Sequence, residues 1–141
     1  MKNKDDLVQG WLAKSNSDLA AANLLLESDG PYDTVCFHAQ QAVEKVLKGL
    51  LAFYELPIPK THDLEELQRL CLEVQTLPKL AGLDLTQITD YAVAVRYDLE
   101  FWPDQETASE ALTLAQQVQQ IILDILPAND QEQSDAKNAS D

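Results

Sequence analysis

The sequence predicts an all-α fold, an up-and-down antiparallel bundle of four to five helices in a single domain. Before residue 127, apolar residues recur with the helical period of about 3.6 residues in nearly every segment. Runs of alternating β-branched residues are absent, and the chain has only four glycines. The 141 residues are 45% hydrophobic, which is enough for one core of ordinary size. Mostly short connections favour antiparallel neighbours.

The first two helices are predicted on either side of a turn at 28–31. The first helix runs from about Asp5 to Glu27 and is ended by the sequence Ser-Asp-Gly-Pro. The second helix is expected to begin with Asp33 as its N-cap and to end before Pro57, because proline disfavours helical geometry in the preceding residue. Its core-facing residues are Val35, Ala39, Ala42, Val43, Val46, Leu47, Leu50, Phe53 and Tyr54.

Capping signals predict a third and a fourth helix. Thr61 suits the N-cap of a third helix that runs to about Val74. Asp84 with Gln87 resembles a capping box for a fourth helix over roughly 85–96.

A fifth helix and a polar tail are predicted for the last part of the chain. Thr107 with Glu110 resembles a second capping box and opens a long fifth helix. After Pro127 the chain has no large apolar residue. We therefore predict a helical bundle over 1–126 and a disordered acidic tail over 127–141.

Charge and composition exclude several classes of function. With 24 acidic and 10 basic residues the formal charge is −14, which repels DNA and acidic membranes. The first residues lack the apolar segment of a secretory signal, so a cytoplasmic protein is expected. Cys36 and Cys71 lie within helical patterns and are expected to be buried, reduced thiols. No zinc-ligand spacing occurs, so neither a metal nor a cofactor is predicted.

Both histidines lie in the segment 32–64, where a site is most expected. His38, Gln41, Lys45 and Lys48 form a polar stripe on the second helix. This stripe is either a solvated or dimer-facing surface or a row of donors that faces a ligand. His62 is either a ligand contact or a capping-region residue whose ring satisfies local backbone or carboxylate groups.

Three sequence elements, in this order, resemble the HEPN family (higher eukaryote and prokaryote nucleotide-binding domains). They are YDTVCFHAQQAVEKVLK, P-x-P-K-THDL, and AVAVRYD ahead of a long Ala-rich helix. The resemblance covers about residues 8–126. It implies a helical bundle that dimerises.

Many members of this family are metal-independent RNases with an Arg-x4–6-His motif near the end of the fourth helix. In such a site histidine can deprotonate a ribose 2′-hydroxyl, and arginine can stabilise the charge on phosphorus. Arg96 matches the arginine, but Phe101 occupies the histidine position at the shortest spacing, and no histidine follows His62. Pro103 stands where toxin members carry a tyrosine that a partner can modify.

The chain instead resembles a family branch with an Arg-Tyr element, here Arg96-Tyr97. The resemblance implies a nucleotide-binding protein without catalysis, or a partner subunit of a minimal nucleotidyltransferase in a two-component system, as in some toxin–antitoxin pairs. A homodimer is expected. The implied nucleotide-binding positions are His38, Gln41, Lys45, Lys48, His62, Arg96 and Tyr97.

Alternative interpretations remain open at this point. His62, or His38 from a facing subunit, can supply the base for a noncanonical RNase site, and a third alternative is a purely structural interaction module. Arg96 can instead close the fourth helix and pair with Asp98 or Glu100. Trp102 is interpreted as the anchor of the loop between the fourth and fifth helices.

Overall fold

A computed structural model describes residues 3–127, and all regular structure in that range is helical. The segments are α1 (Lys4–Glu27), α2 (Tyr32–Phe53), α3 (Leu64–Val74), α4 (Pro78–Ala81), α5 (Thr86–Thr89), α6 (Tyr91–Tyr97) and α7 (Gln105–Leu123). The all-α prediction is confirmed. No helix in the described range is long and apolar enough to cross a membrane. Apart from Pro127, the predicted tail over 127–141 lies outside the described residues.

The central element of the bundle is α2, which buries 14 of its 22 residues. It packs against α1 and α7 and also contacts α3 and α6. With α1 it forms an antiparallel hairpin, in which the hydroxyl of Ser15 donates to the carbonyl oxygen of Ala42 at 2.8 Å. A Cβ atom on Gly49 would lie only 3.3 Å from Cβ of Trp11, so glycine allows the two helices to approach closely.

Two helices begin at residues other than those predicted. Pro31, not Asp33, is the N-cap of α2, and it offers no side-chain cap. Asp63, not Thr61, is the N-cap of α3, and its carboxylate accepts from the backbone N–H of Glu65 at 3.0 Å. The Thr61 hydroxyl instead accepts from the Asp63 N–H, so it forms a turn ahead of the helix.

The predicted fourth helix over 85–96 is two short helices, α5 and α6, which meet at Asp90. Next to this break, the hydroxyl of Thr89 accepts from the backbone N–H of Leu64 at 2.8 Å. That bond ties the end of α5 to the beginning of α3. The break between α5 and α6 thus occurs beside a contact between two segments that are distant in sequence. Helical periodicity alone does not reveal such a break.

Neither predicted capping box forms. Asp84 accepts from the backbone N–H of Thr86 at 2.9 Å, and Leu85 is the N-cap of α5. Asp104 caps α7 and accepts from the N–H of Thr107, which lies inside the helix. Hydrogen bonds from the hydroxyl and the N–H of Thr86 lower the pKa of Asp84, and that from the N–H of Thr107 lowers the pKa of Asp104. Both turns are therefore stabilised at pH values above the usual carboxyl range and lose that contribution as acid protonates the folded carboxylates.

The two cysteines are buried and free, as predicted. Burial is the main cause that raises the pKa of both thiols, Cys36 and Cys71, to about 12. Such thiols are protonated at neutral pH and do not act as nucleophiles.

Candidate functional site

The outer part of the polar stripe on α2 is paired with a carboxylate of α1. Asp18 lies nearly buried between the two helices. One of its oxygens is 2.8 Å from Nδ1 of His38, and the other is 2.6 Å from Nζ of Lys45. These two donors face α1 in place of open solvent, which corrects the interpretation of the stripe as a solvated surface.

Lys48 of the same stripe lies inside the protein. Its Nζ is 3.2 Å from Oε2 of Glu44, and the two side chains are only 7% and 6% exposed. The ammonium group also lies 5.7 Å from the centre of the Trp11 ring. Its charge is thus already compensated within α1 and α2.

His62 is attached to α2 through the same carboxylate. Its Nδ1 is 2.7 Å from Oε1 of Glu44, and its backbone oxygen accepts from Nε2 of Gln40 at 3.0 Å. Gln41 in turn donates to Oε1 of Gln40 at 2.7 Å. The carboxylate contact expected for the His62 ring is present, but its partner is on α2 and not in the neighbouring turn. Because an ionised carboxylate only accepts, Nδ1 donates and Nε2 is left for other contacts.

The sequence interpretation missed three residues that organise these contacts: Asp18, Gln40 and Glu44. Their positions in the sequence could have identified them, because they are polar residues at helical positions that face the core. Ser15 and Asp18 lie among the buried positions of α1, and Gln40 and Glu44 lie among those of α2. A polar or charged side chain inside an apolar arc requires a buried partner, because desolvation without one is costly.

Arg96 stands apart from these ion pairs. Its Nε donates to the backbone oxygen of Ala92 at 2.9 Å, within α6. Between residues 3 and 127 no carboxylate lies within ion-pairing distance of its guanidinium group. The expected pairing with Asp98 or Glu100 is therefore absent, and Asp98 accepts from the N–H of Glu100 instead.

Phe37 brings Arg96 to the same part of α2 as His38. The guanidinium carbon of Arg96 is 6.0 Å from the Phe37 ring centre and 5.6 Å from that of Tyr97. The ring centres of Phe37 and His38 are 5.5 Å apart. Arg96 and Tyr97 thus lie together against Phe37, and Phe37 separates them from His38. Lys48 lies about three turns further along α2.

His62 lies next to the junction of α5 and α6, where the hydroxyl of Thr89 contacts its backbone oxygen. A groove there is lined by His62, Asp63, Glu65, Thr89, Asp90 and Val93. Its titratable lining groups are carboxyl groups apart from the histidine, so the groove does not favour a phosphate.

The loop after α6 exposes Trp102, contrary to the predicted anchor role. Its indole N–H donates to the backbone oxygen of Leu99 at 3.1 Å. The anchor is Phe101, whose ring centre lies 5.3 Å from that of Tyr91. Phe101, which stands at the histidine position of the RNase motif, is thus used for packing.

A model of the HEPN domain family matches residues 8–126 of the chain. No curated protein and no solved structure matches it significantly. Within the part of the chain that the structure describes, no group of three or more His, Cys, Asp or Glu side chains could hold a metal ion.

Proposed function

Because the chain belongs to the HEPN domain family, we propose that it is a non-catalytic nucleotide-binding protein that acts as one subunit of a two-component system. One observation carries the proposal: Arg96 is an exposed cation without a carboxylate partner among the described residues. A guanidinium group in this state is available to an anionic ligand.

The chemistry of this site fits one nucleotide better than a nucleic acid. The fork of Arg96 can donate two parallel hydrogen bonds to a phosphate group. The exposed ring of Tyr97 offers a face on which a base can stack. A chain with a formal charge of −14 and a single unpaired guanidinium at the site cannot neutralise the many phosphates of RNA or DNA.

The remaining implied nucleotide-binding positions are on α2 or at His62, and each already contacts a neighbouring residue. His38 is oriented by Asp18 and contacts Phe37, the ring next to Arg96. We assign structural roles to Gln41, Lys45 and Lys48, because each already has a partner in α1 or α2. His62 lines the acidic groove with Asp63, Glu65 and Asp90, whose carboxyl groups do not favour a phosphate.

Thermal denaturation with ATP or GTP tests this proposal. At a concentration ten times the Kd, binding is expected to raise the unfolding temperature by about 5 °C. Arg96→Ala should abolish the shift. Arg69→Ala is the matched control, because Arg69 is exposed and already paired with Glu73. Absence of stabilisation of the wild-type protein at millimolar nucleotide would contradict the proposal.

The proposed protein partners are a second copy of the chain and a minimal nucleotidyltransferase. Both follow from the family resemblance. A minimal nucleotidyltransferase encoded in the neighbouring reading frame would support the two-component system, and copurification of the coexpressed proteins would test it. A mass twice that of the chain in light scattering would support the homodimer.

A metal-independent RNase is the second candidate, favoured by two observations: Asp18 orients the ring of His38, and the guanidinium carbon of Arg96 lies 6.0 Å from the ring centre of the neighbouring Phe37. Asp18 orients Nδ1 of His38, so Nε2 can accept the proton of a ribose 2′-hydroxyl while Arg96 stabilises the charge on phosphorus. This candidate predicts cleavage of single-stranded RNA in EDTA that His38→Ala and Arg96→Ala abolish and Arg69→Ala retains. RNA that stays intact during prolonged incubation with excess protein would exclude it.

A further inference from the structure

Exposed apolar side chains concentrate in one short part of the chain, residues 93–102. Val93, Tyr97, Leu99 and Trp102 are 55%, 72%, 85% and 76% exposed. Val93 and Tyr97 are four residues apart, on one face of α6, and the other two follow in the loop before α7. We call these four residues the 93–102 patch. Clustered exposure of this kind marks an interaction surface, whereas scattered exposed side chains do not.

The loop part of the patch is held in a defined conformation. The backbone N–H of Phe101 donates to the carbonyl oxygen of Asp98 at 3.1 Å, and the Trp102 indole donates to that of Leu99. Phe101 itself is fixed against Tyr91. Leu99 and Trp102 are thus presented to solvent from an ordered loop, which lowers the entropy cost of binding.

Acidic residues flank the patch along the chain. The segment 90–104 contains Asp90, Asp98, Glu100 and Asp104 against one cation, Arg96. All four carboxylates are exposed, and none forms an ion pair with a described residue. A second copy of the chain would bring the same negative rim against this one, so it is the less favourable occupant.

We infer that the 93–102 patch binds a basic, apolar-faced segment of another protein. Its apolar side chains would cover Val93, Leu99 and Trp102, and its lysines or arginines would pair with the acidic rim. This inference goes beyond nucleotide binding, because it rests on Val93, Leu99, Trp102 and the acidic rim and uses neither the guanidinium of Arg96 nor the residues of α2. Tyr97 is the residue that the patch shares with the proposed nucleotide site.

A labelled amphipathic peptide of leucine and lysine is the probe, and binding to the full chain is followed by fluorescence anisotropy. The peptide is expected to bind, and added salt should lower its affinity for the chain. A peptide with the same leucines but glutamate in place of lysine should not bind. Equal binding of both peptides, or binding of neither, would overturn the inference.

Variants locate the binding surface. Leu99→Ser with Trp102→Ser should weaken binding at least tenfold, and Glu100→Gln should reduce its salt dependence. Leu24→Ser is the matched control, because Leu24 is an exposed leucine of α1 outside the patch, and it should bind like wild type. Circular dichroism should show all variants folded, since every position is on the surface.

Two outcomes of the variant series would contradict this assignment. An equal loss of binding in Leu24→Ser and in the patch variant would show nonspecific attraction to an acidic protein. Conversion of a dimer into a monomer by Leu99→Ser with Trp102→Ser would assign the surface to a second copy of the chain. If the double variant fails to fold, peptide binding and oligomeric state are measured on the single variant Trp102→Ser instead.

Discussion

Glu44→Leu is expected to lower the free energy of unfolding by about 3–5 kcal/mol, because it leaves the buried ammonium group of Lys48 without a carboxylate. The same carboxylate holds Nδ1 of His62, so the variant also frees the segment that leads into α3. Denaturation with urea measures the loss. A thermal scan should show a matching decrease in the unfolding temperature.

The chain offers a matched control for this variant. Arg69 and Glu73 form an ion pair with the same i,i+4 spacing, but their side chains are 60% and 58% exposed. Glu73→Leu should therefore cost less than about 1 kcal/mol. Adding Lys48→Met to Glu44→Leu should restore most of the lost stability, since neither charge of this pair then remains buried. Equal losses for Glu44→Leu and Glu73→Leu would contradict this account.

Asp18→Asn is expected to lower the free energy of unfolding by about 2 kcal/mol, because it weakens two charge-assisted contacts between α1 and α2. The amide that replaces the carboxylate has no charge for Lys45 and only one accepting oxygen. The effect is smaller than for Glu44 because Lys45 is partly exposed and can recover some hydration.

A double-mutant cycle isolates the contribution of the contact between Asp18 and Lys45 to the free energy of unfolding. Asp18→Asn combined with Lys45→Met should give a coupling energy of about 1–2 kcal/mol. The control cycle uses Lys79→Met, since Lys79 is exposed on α4 and forms no ion pair with Asp18. That coupling should be close to zero. Similar coupling in both cycles would show that Asp18 acts through the general field of the protein and not through its contact with Lys45.

The sequence was sufficient for the core because the hydrophobic period of α2 and α7 is long and regular. Every residue from Val35 to Leu50 that was predicted to face the core is buried, while Phe53 and Tyr54 are partly buried. Such periodicity depends only on the residues of one helix, so it survives in the absence of tertiary information.

Helix boundaries were less predictable because several residues at each boundary can cap. Asp63 lies two residues after Thr61, and Asp104 lies three before Thr107. In both places the carboxylate is the N-cap. The break at Asp90 also depends on a contact between Thr89 and Leu64 that lies outside any local pattern.

The candidate site was only partly predictable for the same physical reason. The positions along α2 were assigned to one face, but the sequence does not reveal that Asp18 approaches His38 and Lys45 from another helix. It also does not reveal that Phe37 lies between His38 and Arg96. Periodicity places residues on a face, whereas the identity of what packs against that face depends on the tertiary arrangement.

The central claim is that a nucleotide is held by Arg96 and not by the polar stripe of α2. The chain has only two arginines, Arg69 and Arg96, so their side-chain Nε–H signals in an NMR titration with ATP report on this directly. The account predicts that the Arg96 signal and the backbone amide of Tyr97 shift in a saturable manner while the Arg69 signal stays in place. Shifts confined to the amides around Lys45 and Lys48, with the Arg96 signal unchanged, would contradict it.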